Sequence, residues 1–415
     1  MPEKKILYIT YDGLTDPLGQ SQILPYLVGL SKEGYRFTIL SFEKKERFGS
    51  NKDIINAIVV QAGIKWVPLS FTKNPPVLSK FYDTLQMKIR AFSLQRKESF
   101  DMVHCRSYIA ADIGVKLKKR FGVKFFFDMR GFWADEKRDG GAWKDDHPIF
   151  KRVYKYYKKR EAEYLQNADY IISLTNAGKT EMQTWKSFDP AIPVAVIPCC
   201  ADMDHFTVTD AGQRTEAKKK LGIADDRLVI SYLGSVGSWY MLDEMLKLFT
   251  CIRKKHTNAF LLFISHSDKD HILRQAKEQG IDDNDIKIVE ANRQEVPVFV
   301  KASDINISFI RPVYSKLSSS PTKLGEVLSM GIPVIVNAGV GDTEEIINTT
   351  GGGIVLNDST EESFCKARAE IPNLLKLDPE DIRRKAANIF DLEIGIKLYQ
   401  QAYKQVFQHT TSVNE

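Results

Sequence analysis

Apolar and polar positions alternate along this chain in two periods. Short apolar runs are separated by stretches with helical spacing. KKILYIT, RFTILSF, IKWVPLS, DMVHCR, VKFFFDM, ADYIISLT and VAVIPCC read as strands, and SQILPYLVGLSKEG, KFYDTLQMKIRAFSL, AADIGVKLKKRFG and IFKRVYKYYKKREAEYL read as helices between them. The pattern then restarts with RLVISYLG, AFLLFISH, IKIVE, INISFIR, PVIVN and GGIVLN, again with helices between. Continuously apolar strands alternating with helices predict parallel sheets covered on both faces. Two such runs predict two Rossmann-like α/β domains facing each other across a cleft. The irregular, polar stretch PCCADMDHFTVTDAGQR marks the break. We place the domains at residues 1–203 and 204–390. The tail 391–415 is expected to form a helix packing back on the first domain.

The bulk numbers narrow the class. At 415 residues, about two domains are expected. No apolar run is long enough to predict a transmembrane helix, and MPEKKILYITYDG does not read as a secretory signal. Five scattered cysteines without a C-x-x-C pair predict neither a disulfide framework nor a zinc site, and favour a reducing, cytoplasmic setting. Net charge is +6, but residues 1–200 hold 33 Lys and Arg against 22 Asp and Glu, while the remainder holds 26 against 31. A basic first half suits an anionic substrate or an anionic membrane surface. Lys151, Arg152, Lys155, Lys158, Lys159 and Arg160, interleaved with tyrosines, would form a broad basic helix face suited to that membrane role. No nucleic-acid-binding motif supports the rival partner.

Candidate chemistry sits where strands end. In open α/β sheets, ligands gather at the carboxyl ends of the strands. After the first strand, YDGLTDPLGQSQ offers Gly19 and Gln20 to a diphosphate, since glycine lets the backbone approach closely and helix starts favour anions. No G-x-G-x-x-G follows any strand, which argues against a nicotinamide dehydrogenase. FFFDMRG ends a buried strand on Asp128 and Arg130, either a structural pair or a working carboxylate and cation. The stretch after it reads as a long loop whose Trp133 and Trp143 could stack on sugar rings, dip into a membrane interface or anchor the core. YLGSVGSWY puts Gly234 and Ser235 at another strand end, with a helix expected near Tyr240. In SSSPTKLGEVLS, Thr322 or Ser320 could cap a helix. Lys323 would meet a phosphate, and Glu326, one turn on, would accept ribose hydroxyls. Asp202 and Asp204 spell D-x-D, a pattern common by chance that here falls in the hinge.

SPTKLGEVLSMGIPVIVNAGVGDTEEII resembles the nucleotide-sugar signature of family 4 glycosyltransferases, the retaining group with the GT-B fold. VIPCCADMDHF is similar to the family's hinge, and DMVHCRSYIAA and VKFFFDMRG are similar to strands of its first domain. The resemblance implies a retaining transferase that moves a sugar from a nucleotide-sugar donor to a glycan or lipid-linked acceptor in cell-surface polysaccharide assembly. Front-face transfer would be assisted by the leaving phosphate, with no metal or other cofactor. It implies donor binding by Gly19, Gln20, Gly234, Ser235, Pro321, Thr322, Lys323, Leu324 and Glu326. Asp128 falls where many members carry a cleft histidine, which makes Asp128 and Arg130 the catalytic candidates. Trp133 and Trp143 would serve the acceptor or a lid. Two departures stand out. Ser318 replaces the acidic residue expected eight before Glu326, and Ser238, Trp239 and Tyr240 follow the Gly234 turn where Arg and Lys are expected. Lys323, with Arg130, would then supply the missing positive charge. The alternatives are a nucleotide-sugar epimerase on the same fold and a non-catalytic carbohydrate-assembly subunit.

Overall fold

The computed structural model describes residues 3–144 and 146–408. The chain divides into two compact units, Met1–Pro198 with Leu392–Glu415, and Cys199–Asp391. Residues 199–203 therefore go with the second unit, and the C-terminal helix goes with the first.

The first unit is a seven-stranded parallel sheet built from β1 (Lys4–Thr10), β2 (Tyr35–Glu43), β3 (Lys65–Ser70), β4 (Met102–Arg106), β5 (Lys124–Asp128), β6 (Tyr170–Ser173) and β7 (Val194–Val196). Its order is β3-β2-β1-β4-β5-β6-β7. β5 shows why a continuous apolar run was needed. Side chains alternate across a strand, so Phe125 and Phe127 face one helix layer while Phe126 faces the other. Phe127 packs on Tyr108 and Tyr164, and Phe126 on Tyr170 and Tyr403. Tyr403 belongs to the C-terminal helix Leu392–Gln408. That helix lies so close to helix Leu24–Lys32 that a Cβ on Gly29 would overlap Ile396.

The second unit is a six-stranded parallel sheet. Its strands are β8 (Leu228–Leu233), β9 (Ala259–Ile264), β10 (Ile286–Val289), β11 (Ile305–Ser308), β12 (Val334–Asn337) and β13 (Gly353–Leu356), in the order β10-β9-β8-β11-β12-β13. Alternation again divides the core. Ile230 and Tyr232 join one buried cluster, Val229 and Leu233 the other. The fold class expected from periodicity is therefore the one observed in each unit.

Local readings needed correction in four places. SQILPYLVGLSKEG is two helices, Pro17–Gln22 and Leu24–Lys32, because Pro25 lacks the N–H a continuous helix would need. The helix expected near Tyr240 begins at Leu242. The presumed long loop after β5 contains a helix, Trp133–Asp139, pinned by the buried Asp135, which accepts from Tyr154 (2.6 Å) and Lys158 (2.9 Å). Finally, the basic face of helix Pro148–Asn167 is narrower than its composition implies. Lys158 is turned to Asp135 and Glu161, and Arg160 to Asp112 and Glu163, leaving Lys151, Arg152, Lys155 and Lys159 exposed.

Candidate functional site

In the second unit, β8 ends in a turn at Gly234, whose φ of +122° favours glycine. The turn is held by neighbouring strands. The Gly234 amide donates to the Ile264 carbonyl (2.9 Å), and the Val236 amide donates to Ser267 Oγ (2.6 Å). Helix Thr322–Ser329 begins opposite this turn after Pro321, and no side chain caps it. Lys323, in its first turn, lays its stem over Gly234, where a Cβ would overlap the ammonium. The ammonium sits 4.0 Å from the centre of the Tyr240 ring and 5.2 Å from that of Tyr232, and donates to the Tyr232 hydroxyl at 3.5 Å. The Tyr232 hydroxyl in turn donates to the Ser235 carbonyl (2.7 Å). Among the described residues, Lys323 has no carboxylate within ion-pair distance. Burial therefore dominates and lowers its pKa to about 8, with Glu326 opposing. Glu326 lies one turn along. Burial raises its pKa to about 7, and Arg293 and Lys323 oppose. A cation held by rings rather than by a carboxylate keeps its charge for a ligand. A carboxylate with no hydrogen-bond donor among the described residues keeps its oxygens for hydroxyls.

The first unit gathers a second set of polar groups at the carboxyl ends of β4 and β5. Asp128 is 1% exposed. Its Oδ2 accepts from Tyr399 (3.0 Å) and faces His104 Nε2 (3.5 Å) and Arg106 Nη1 (3.8 Å), while Oδ1 faces Arg130 Nη1 (3.8 Å). Burial alone would raise its pKa, but Arg130, then His104 and Arg106, outweigh it and hold the carboxyl below its ordinary range. His104 is kept neutral, chiefly by burial. Its Nδ1 lies 2.6 Å from the Tyr403 hydroxyl. If Nε2–H donates to Asp128, Nδ1 accepts from Tyr403, so one neutral tautomer satisfies both contacts. Arg106 Nε also donates to Asp12 (3.3 Å). Arg130 has φ +56°, a left-handed conformation uncommon outside glycine, which aims its guanidinium back at Asp128.

Two family models match this chain. Residues 26–205 match Glycosyltransferase Family 4 and residues 213–386 match Glycosyl transferases group 1, together taking in most of its length. The chain belongs to this family of glycosyltransferases. A D-inositol 3-phosphate glycosyltransferase of Actinosynnema mirum is 27% identical over 148 residues, 36% of this chain. The matched stretch spans only about a third of that relative, 33%. Among solved structures, sucrose-phosphate synthase from Thermosynechococcus elongatus superposes with a TM-score of 0.73 at 15% identity, covering 98% of this chain and 100% of its own. HepE from Anabaena, solved with UDP and glucose, superposes with a TM-score of 0.69 at 12% identity, covering 97% and 99%. These likenesses show the GT-B fold.

Within this glycosyltransferase, the expected residues fall into distinct settings. Gly234, Ser235 and Lys323 meet around the β8 turn, and Thr322 and Glu326 stand on the same short helix as Lys323. Leu324 is buried in the core below it, and with Pro321 lines a small crevice under Asn337 and Val340. Neither Thr322 nor Ser320 caps the helix: Ser320 Oγ accepts from the Cys199 amide instead (3.1 Å). Ser318 is buried, and its hydroxyl donates to the Ser315 carbonyl (2.9 Å), so the position itself offers no carboxylate. Trp239, at one of the departing positions, lies 3.8 Å beneath the Lys316 ammonium. In the first unit, Gly19 has a packing reason, since a Cβ there would overlap the backbone of Gly13. Gln20 Nε2 donates to the Thr15 carbonyl (3.0 Å) within the same loop. Trp133 and Trp143 fold back on Tyr157, with ring centres 4.9 and 5.4 Å away. Asp202 Oδ1 accepts from the Asp204 and His205 amides, so this carboxylate closes its own turn. His104, Arg106, Tyr399 and Tyr403 were not singled out from the sequence. The charged strand end at Asp128 was the one signal that pointed toward them.

Proposed function

We propose that this glycosyltransferase is a retaining enzyme that moves a sugar from a nucleotide-sugar donor to a glycan or lipid-linked acceptor in cell-surface polysaccharide assembly. The observation that carries the reading is Lys323. Its ammonium lies between two tyrosine rings at a glycine turn, with no carboxylate in ion-pair distance among the described residues, one helical turn from Glu326. That arrangement suits a diphosphate beside a ribose. The bound UDP of HepE favours a nucleoside diphosphate carrier as the ligand class. Lys323 and the uncapped start of its helix would stabilise the leaving diphosphate without a metal. The first unit would serve the acceptor, with Asp128 and Arg130 as its working polar pair, while Gly19 and Gln20 would meet the donor diphosphate. Exposed Lys151, Arg152, Lys155 and Lys159 would favour an anionic membrane surface near a lipid-linked acceptor.

The test is a thermal-shift screen of nucleotide sugars, followed by product analysis with the stabilising donor. The expected result is a raised melting temperature with one donor, lost in Lys323→Ala, and a product that keeps the anomeric configuration. No stabilisation by any nucleotide sugar would overturn the reading. Ser318 in place of an acidic residue favours one second reading, a donor-binding subunit without transfer. Donor binding with no turnover against any acceptor would select it.

A further inference from the structure

Helix Pro76–Glu98 is inverted relative to an ordinary surface helix. Its buried stripe is Ser79, Asp83, Met87, Ala91, Leu94 and Gln95. The first two are small or charged, and Asp83 is satisfied internally, accepting from the Tyr11 hydroxyl (2.9 Å) and the Thr72 amide (3.2 Å). Five large apolar side chains face outward, against Met87 and Leu94 inward. Phe81 is 73% exposed, Leu78 68% and Ile89 63%, with Tyr82 and Leu85 also exposed. At helical spacing these five fall within an arc of about 100°. Exposed Lys88 stands on one flank of that arc, and exposed Arg90 and Lys97 on the other. The helix has only two acids: Asp83 points inward, and Glu98 is paired with Lys65 at the far end.

We infer that this face is a membrane-docking surface, which lays Leu78, Phe81, Tyr82, Leu85 and Ile89 into the interface of an anionic bilayer. A contiguous exposed apolar stripe marks an interaction site. Flanking cations with no exposed unpaired acid match anionic headgroups, and their stems let the charges stay at headgroup level while the rings go deeper. The same charge pattern opposes self-pairing, because two copies would bring like charges together. A neighbouring helix extends the surface. Lys80 lies over the Trp133 ring, Trp133 packs on Tyr157, and exposed Ile149 and Tyr156 flank Lys151, Arg152 and Lys155 on that helix. The inference extends the membrane part of the proposed function. Its test reads vesicle binding and not transfer, so the two can fail separately.

The experiment is flotation of the full chain with phosphatidylcholine vesicles with and without phosphatidylglycerol. Binding is expected with phosphatidylglycerol, weaker at raised salt. It is expected to fall about tenfold or more both in Phe81→Ser/Leu85→Ser/Ile89→Ser and in Lys88→Glu/Arg90→Glu. A Phe81→Trp probe in the otherwise native chain should shift its emission to the blue on anionic vesicles, which keeps the test decisive should the triple variant fold poorly. Vesicle binding unchanged in the triple variant, or no emission shift in the probe, would overturn the inference. So would a dimer, seen by sedimentation, that dissociates in the triple variant, because a second copy would then cover the face.

Discussion

Lys323 fills the space that a side chain on Gly234 would need. A Cβ built on Gly234 overlaps the ammonium and its neighbouring methylene, and φ at Gly234 is +122°. Gly234→Ala must therefore both strain the turn and displace Lys323. The expected cost is on the order of 1–3 kcal/mol of stability, together with loss of nucleotide affinity. Melting temperature and calorimetric titration with the nucleoside diphosphate of the stabilising donor check the two halves. A variant that lost stability but bound nucleotide normally would show that Lys323 does not hold the phosphate.

Lys323 should also cost the fold something. Its pKa falls from its ordinary value to about 8, so between about pH 8 and 10.5 the unfolded chain binds more protons than the folded one. By linkage, stability rises with pH across that window, and below it the folded state carries the full penalty of a buried charge. Lys323→Met removes the charge and keeps the stem. It is expected to stabilise the protein by on the order of 1–3 kcal/mol at pH 7, with the gain shrinking toward pH 10.5, while nucleotide binding is lost. Denaturant titrations of both proteins at the two pH values measure this directly. A destabilised Lys323→Met would mean that the ring contacts outweigh the burial of the charge.

Donor binding should have a narrow pH range. Lys323 loses its proton above about 8, and with it the attraction for a diphosphate. Glu326 gains one below about 7, and a neutral carboxyl accepts hydroxyls less well than a carboxylate. Affinity for the nucleoside diphosphate of the stabilising donor is expected to peak between these values. Glu326→Gln should flatten the acid limb alone, and Lys323→Ala should remove the alkaline one. Calorimetric titrations at several pH values would expose a wrong assignment as a limb that survives its variant.

The sheets were legible because strands buried on both faces leave unbroken apolar runs, as in KFFFD and AFLLFI. Lys323 and Glu326 were legible because both stand on one short helix, where spacing alone places them on one face. The Asp128 network was not, because its partners come from β4 and from a helix near the end of the chain. Tyr399 is 271 positions away from Asp128, and in sequence it is one more residue of an amphipathic helix. Lys158 and Arg160 read as free charges for the same reason: Asp135 and Asp112, which bind them, lie on other elements. Nor could periodicity say which face of Pro76–Glu98 turns outward, since a stripe of apolar residues is ordinarily the buried one.

Asp128 offers the sharpest check on the first unit. Its carboxylate is close to both Arg106 and Arg130, and all three side chains are nearly buried. Asp128→Asn keeps the shape and an acceptor for Tyr399 but leaves two guanidinium groups with less compensation. The expected loss is about 3–5 kcal/mol at pH 7. Tyr399→Phe removes a single hydrogen bond and should cost about 1–2 kcal/mol. Because the folded pKa of Asp128 lies below its unfolded value, its contribution is fully present above the ordinary carboxylate range and fades as pH falls below about 3.9. The stability gap between the native chain and Asp128→Asn should therefore narrow only under strongly acid conditions. His104, kept neutral by burial, acts in both proteins and lowers stability as pH drops below about 6.5. Denaturant titrations from neutral to acid pH separate the two effects. A gap that closed near pH 6 would place the balancing charge on His104 and remove Asp128 from that role.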